Sequence, residues 1–182
     1  MNSNNKSLKN TFTAFIVLFF VTISIGQTKA DLKVISNAEE TKTTFIKSNP
    51  ELADLILDSH AYVIFPELKE GTYAKEGVSG KGAVYSNGKV IGIAQVTQPD
   101  SGFDLEGQTF SELVLFENET QFERMKEDNL KLITDMHGVM MEKGQTKSMQ
   151  FRDGMTVVTM PHNQAQIEIT VAGQSFSFKK FK

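Results

Sequence analysis

The chain has no cysteine. That excludes disulfides, thiolate chemistry, cysteine-ligated metal centres and a lipid-modified N-terminal cysteine. Histidine is scarce. His60, His137 and His162 are the only three, and none pairs with a carboxylate or a second histidine at metal-ligand spacing. There is no Gly-x-Ser-x-Gly elbow and no His-Glu-x-x-His motif. Internal repeats and low-complexity tracts are absent too. The net charge is −3, and a mildly acidic chain does not point to nucleic acid as a partner. On these absences the chain is expected to be no enzyme, with no catalytic residue, no metal and no cofactor.

What is present begins with a short basic segment, Lys6 and Lys9, followed by the apolar run Phe12 to Ile25. The run is shorter than the roughly 20 residues a bilayer-crossing helix needs. Small-residue exits follow at Ser24-Ile25-Gly26 and Thr28-Lys29-Ala30. This pattern predicts a secretory signal peptide over residues 1–30, cut after Gly26 or Ala30. A retained membrane anchor is the competing reading, and the length argues against it. Export to the periplasm or cell surface is therefore expected. Residues 31–182 are expected to form one domain. Removing residues 1–30 takes away three lysines and no acid, so the net charge moves from −3 to −6.

The stretch Ala61 to Phe116 holds eight of the thirteen glycines and reads as closely packed strands. Asn87-Gly88 supplies the two positive-φ positions of a type I′ turn, which predicts a β-hairpin. With Asn87 and Gly88 as the loop, Ser86 faces Lys89, Val84 faces Ile91 and Gly82 faces Ile93. Neither face of this ribbon is plainly polar, so both are expected to be covered. Gly80, Gly82 and Gly92 then mark bends or close backbone approach. Gly77, Gly80 and Gly82 superficially suggest a phosphate-cradling loop, but a dinucleotide fingerprint opens a helix and these residues open a hairpin.

Around this centre, Asp31 to Ser48 reads as a helix with Ile35, Ala38, Phe45 and Ile46 near one face. Two readings compete: an amphipathic helix lying on a membrane, and a helix packed on its own domain. The outer face mixes Glu39, Glu40, Lys42 and Lys47, and mixed charge favours the second. Asn49 caps a second helix with Pro50 at its first position and Leu52, Leu55 and Ile56 inward. Asp54 and Asp58 lie one turn apart on its outer face, where solvated carboxylates are the ordinary reading. Ala61 to Phe65 is a strand ended by Pro66. Phe110 to Phe116 is another. Asn118 starts a helix with Gln121 at the capping-box position and Phe122 and Met125 inward. Leu130 to Ile133 reads as a strand, Asp135 to Lys143 as ambiguous. Met155 to Met160 is a strand stopped by Pro161. His162 falls in a turn, with solvent as its expected partner. Gly173-Gln174 suits a type II′ turn, placing Val171 opposite Phe176 and Ile169 opposite Phe178. The tail Ser175 to Lys182 interleaves aromatics and lysines. It reads equally as a final strand with a frayed end and as a lysine surface for anionic lipid.

These residues also resemble a known family. The run Leu52-Ala53-Asp54-Leu55-Ile56, then Val63-Ile64-Phe65-Pro66, Gly71, Gly77 and Gly80-Lys81-Gly82 are similar to the SYLF domain. So are the Asn87-Gly88 hairpin, Gly102, Gly107-Gln108 and Leu113-Val114-Leu115-Phe116. The blocks Gly154 to Met160 and Val171 to Ser177 resemble its exported bacterial members. The resemblance covers nearly all of residues 31–182. It implies a non-enzymatic domain that binds anionic phospholipid, in some eukaryotic members through an N-terminal amphipathic helix. Actin bundling belongs to eukaryotic relatives and is not expected of an exported bacterial protein.

The expected fold is α+β: flanking helices on a strongly twisted antiparallel sheet, or a partial barrel. The expected partner is a phospholipid membrane surface. Its candidate contacts are Lys42, Phe45, Ile46 and Lys47 on the first helix, with Lys179 and Lys180 on the tail. The alternative is a soluble envelope module that carries a small apolar ligand or binds an envelope protein. A third reading, a hydrolase, would need His60 or His137 in a cleft beside a nucleophile.

Overall fold

The computed structural model describes residues 27–70, 77–98, 109–127, 139–140, 151–162 and 173–182. The strand expected at Leu130 to Ile133, and the Ile169 and Val171 side of the last hairpin, lie outside them. Two helices come first, α1 (Lys29–Ser48) and α2 (Glu51–Asp58). Four strands follow: β1 (Ala61–Glu70), β2 (Val78–Ser86), β3 (Lys89–Gln98) and β4 (Phe110–Phe116). Then come α3 (Glu119–Lys126), a short β5 (Val139–Met140), β6 (Met155–Pro161) and β7 (Ser175–Lys180). The strands make one sheet in the order β5-β6-β4-β1-β2-β3-β7. Every pairing is antiparallel except β5 with β6. The fold is α+β with a twisted sheet, and the sheet does not close into a barrel.

The helix boundaries follow from their caps. Thr28 accepts from the Asp31 N–H at 3.1 Å, and Asp31 accepts from the Thr28 N–H at 3.0 Å, a complete capping box. Asn49 ends α1 and starts α2. Its N–H reaches the Phe45 carbonyl at 2.9 Å, and its side chain accepts from the Glu51 N–H at 3.0 Å. At α3, Asn118 accepts from the Gln121 N–H at 3.1 Å, which turns Phe122 and Met125 into the core.

Each face of the sheet carries its own apolar layer. Val63, Phe65, Val84, Val114, Phe116 and Phe176 lie on one face, with Phe122 and Met125 of α3 packed over it. Tyr62, Ile64, Ala83, Tyr85, Leu113 and Val158 lie on the other, under Ala38 and Phe45 of α1 and Leu52 of α2. The hairpin is thus covered on both sides, which is why its strands do not alternate apolar and polar. The first face is concave. The Phe65 and Phe176 ring centroids are 6.0 Å apart although β2 and β3 separate their strands. Gln174, at the entrance to β7, reaches Glu112 on β4 at 2.8 Å. Four strand spacings in a flat sheet would be about 19 Å.

Two expectations fail, one of register and one of strand length. Val84 pairs with Gly92, not Ile91, and Gly82 with Ala94, not Ile93. Ile91 is an extra residue, a bulge that shifts register and puts Ala94 on the concave face. Pro66 does not end β1. The strand continues to Glu70 with its register shifted around the proline, as a bulge permits. The glycines do mark close approach. A Cβ on Gly82 would stand 2.5 Å from the Ile64 carbonyl oxygen and 2.7 Å from the Phe65 ring.

Candidate functional site

The six residues expected to meet a membrane do not form one surface. Phe45 is fully buried in the layer under α1, so it belongs to the core and not to a lipid contact. The cause is phase: Ala38 and Phe45, two helical turns apart, are the apolar side chains by which α1 is wholly buried. Lys42 lies on the same inward flank. Its ammonium is 2.6 Å from Glu39 and 5.0 Å from the centroid of the Tyr85 ring. Tyr85 stacks on Tyr62 at 4.6 Å. Burial is the largest single influence on the Lys42 pKa and would lower it, but Glu39 and Tyr62 together outweigh it and hold the ammonium above its usual value. Lys42 is thus occupied in the packing of α1 on the sheet. Ile46 is partly buried, and Lys47 is exposed in the last turn. Lys180 is exposed beside a groove of about 310 Å³ that also holds His60, Phe122, Lys126 and Phe178.

Lys179 leads to a different place. Its ammonium is 3.2 Å from Asp31 in the first turn of α1. The Thr28 backbone N–H and that ammonium hold the Asp31 carboxyl below its usual pKa, against the opposing effect of burial. Around the same end of α1 a groove of about 350 Å³ runs between the helix and the paired strands β1 and β2. Lys33, Asn37, Pro66, Lys69 and Lys81 line it. All three lysines are exposed. Lys69 pairs with Glu67 at 3.0 Å. Lys29 stands in the first turn, one turn before Lys33. Among the described residues, five lysines therefore lie around the first two turns of α1, with the carboxylates Asp31 and Glu67 between them. The unpaired N–H groups of a helix start add to the positive potential. In the first turn, outside the groove lining, Leu32 is half exposed at 50%. Lys29, Leu32 and Lys33 share one exposed stripe, since residues three and four apart are neighbours on a helix.

The bulge at Pro66 that shapes this groove is held from behind. Ser111 donates to the Pro66 carbonyl at 2.7 Å and lies 2.8 Å from His162 Nε2. His162 Nδ1 lies 2.9 Å from Thr109 Oγ1. The histidine expected in solvent thus has two protein partners. One proton arrangement satisfies every contact: Thr109 donates to Nδ1, Nε2–H donates to Ser111, and Ser111 donates to Pro66. In that arrangement His162 takes no proton from Ser111, so the pair works as a clasp on the bulge. His60 packs its ring 5.8 Å from Phe122, and His137 lies outside the described residues.

Sequence reasoning missed Lys29, Leu32, Lys33, Lys69 and Lys81 as a group. Lys29 to Lys33 carried a readable signal, a leucine flanked by lysines at helical spacing. Lys69 and Lys81 join them only through the antiparallel pairing of β1 with β2. No helix of the described residues is long and apolar enough to cross a membrane. No protein-family model matches the chain, and none of the curated proteins matches it.

Proposed function

We propose that this is a non-enzymatic, exported domain that associates with anionic phospholipid membranes through the N-terminal end of α1. The observation that carries it is the groove lined by Lys33, Lys69 and Lys81 at the N-terminal end of α1, with Lys29 and the half-exposed Leu32 in the neighbouring first turn of the helix. A lysine-lined groove with an exposed leucine at the same helix end suits a bilayer surface. The leucine enters the acyl boundary while the lysine stems lie along it and their ammonium groups meet phosphates. Each lysine near an anionic surface contributes about 1 kcal/mol. The resemblance to the lipid-binding SYLF domain points the same way, but the contact moves to the opposite end of the helix from Phe45.

The test is co-sedimentation of the exported form with vesicles, anionic against zwitterionic, at low and moderate salt. Binding that requires anionic lipid and weakens as salt rises is the expected result. Indifference to every vesicle composition would remove the membrane reading and leave the soluble envelope module in its place.

The cap of α1 favours one of the two proposed signal-peptide cuts. Cleavage after Ala30 would remove Thr28 and with it both capping-box bonds, costing about 1 kcal/mol. Cleavage after Gly26 keeps them. The intact mass of the exported protein is therefore expected to correspond to an N-terminus at Gln27. A mass beginning at Asp31 would contradict this.

A further inference from the structure

Four polar side chains meet inside the concave apolar layer. Gln98 ends β3, Glu112 is central in β4, Thr159 lies in β6 and Gln174 precedes β7. Glu112, Thr159 and Gln174 have no exposed surface, and Gln98 has almost none. Glu112 and Thr159 are direct cross-strand neighbours, so they share a face. Gln174 Nε2 donates to Glu112 Oε2 at 2.8 Å and to Gln98 Oε1 at 3.3 Å. Three oxygens in this cluster have no hydrogen-bond partner: Glu112 Oε1, Thr159 Oγ1 and Gln174 Oε1. Native interiors leave few buried polar atoms unpaired, and here three belong to adjacent side chains around one carboxyl. Among the described residues, burial and the Gln174 bond are what act on Glu112, and no charged side chain does.

We propose that Glu112, Thr159 and Gln174 form a binding site for one small monovalent cation, sodium or potassium. The donor chemistry selects it. Carboxylate, hydroxyl and amide oxygens, with no nitrogen or sulfur ligand, suit hard cations. A single carboxylate neutralises a single positive charge. A divalent ion would leave net charge in a layer built of Phe65, Phe110 and Phe176, where uncompensated charge is strongly disfavoured. The bound ion would join side chains of β4, β6 and the entrance of β7, where Gln174 already bonds Glu112 of β4 but not Thr159 of β6.

The test is thermal unfolding of the exported protein at constant ionic strength, with sodium or potassium chloride exchanged for tetramethylammonium chloride, a cation too large for the site. One of the two alkali ions is expected to raise the midpoint in a saturable way, by about 3–6 °C at ten times the half-saturating concentration. Glu112→Gln, which keeps the side-chain volume, is expected to abolish the difference between salts while remaining folded. Thr159→Val is expected to shift half-saturation to higher concentration. An equal response of wild type and Glu112→Gln to all three salts would overturn the proposal. So would stabilisation by calcium chloride alone.

Discussion

Replacing Phe45 by alanine is expected to lower the unfolding free energy by about 3–5 kcal/mol. Phe45 is wholly buried between α1 and the sheet, among Leu52, Ile64 and Leu115. Truncation removes its transfer free energy and leaves a cavity that the stacked Tyr62 and Tyr85 rings cannot readily fill. The substitution also separates the two roles for this residue. A phenylalanine that inserts into a bilayer would leave stability unchanged when truncated and would weaken vesicle binding. A core phenylalanine does the reverse under conditions where the variant stays folded. Urea unfolding monitored by circular dichroism reads the first quantity directly.

Glu112→Gln is expected to act in the opposite direction, and only at high pH. Burial pushes the Glu112 carboxyl from 4.5 up to about 7, with the Gln174 hydrogen bond opposing the shift. Between these values the folded protein holds a proton that the unfolded chain has released. Folding stability therefore falls as pH rises through that window and is flat above it. A shift of this size corresponds to about 3 kcal/mol. Glutamine stays neutral at every pH. The variant is expected to match wild type near pH 4 and to exceed it by up to about 3 kcal/mol at pH 8. Tetramethylammonium should be the added cation, so that no alkali ion competes for the carboxylate. Parallel pH profiles for the two proteins would show that Glu112 is not held neutral by its surroundings.

The sequence was most legible where the signals are local. Asn87-Gly88 turned where expected, with both residues at positive φ. Asn118, Phe122 and Met125 placed α3 correctly, and Phe110 to Phe116 is β4 to the residue. Bulges were not legible. An extra residue at Ile91 changes no composition, and a ribbon covered on both faces has no polar side to betray the shifted register. Pro66 was read as a strand end because proline cannot donate to a ladder. Its carbonyl, which Ser111 satisfies from β4, was the missing part.

The candidate sites follow the same division. Lys42 looked available because its aromatic neighbours, Tyr62 and Tyr85, come from β1 and β2 and stack only after the strands pair. Glu112 did carry a signal, a lone acid in the apolar strand Phe-Ser-Glu-Leu-Val-Leu-Phe. Its partners Gln98 and Gln174 lie on the far side of the curled sheet, and only that curl brings Gln174 to β4. Lys179 was singled out as a membrane contact on its charge. It reaches the N-terminal end of α1 by pairing with Asp31, a contact between residues near opposite ends of the chain.

The most direct test of the account is to locate the membrane contact. Vesicle co-sedimentation would compare two sets of charge reversals, Lys33→Glu with Lys69→Glu and Lys81→Glu, against Lys47→Glu with Lys180→Glu. At about 1 kcal/mol per lysine, the first set is expected to cut affinity for anionic vesicles by at least a hundredfold. The second set is expected to change it only modestly, through net charge. Loss of binding in the second set with retention in the first would contradict the placement of the membrane surface at the N-terminal end of α1.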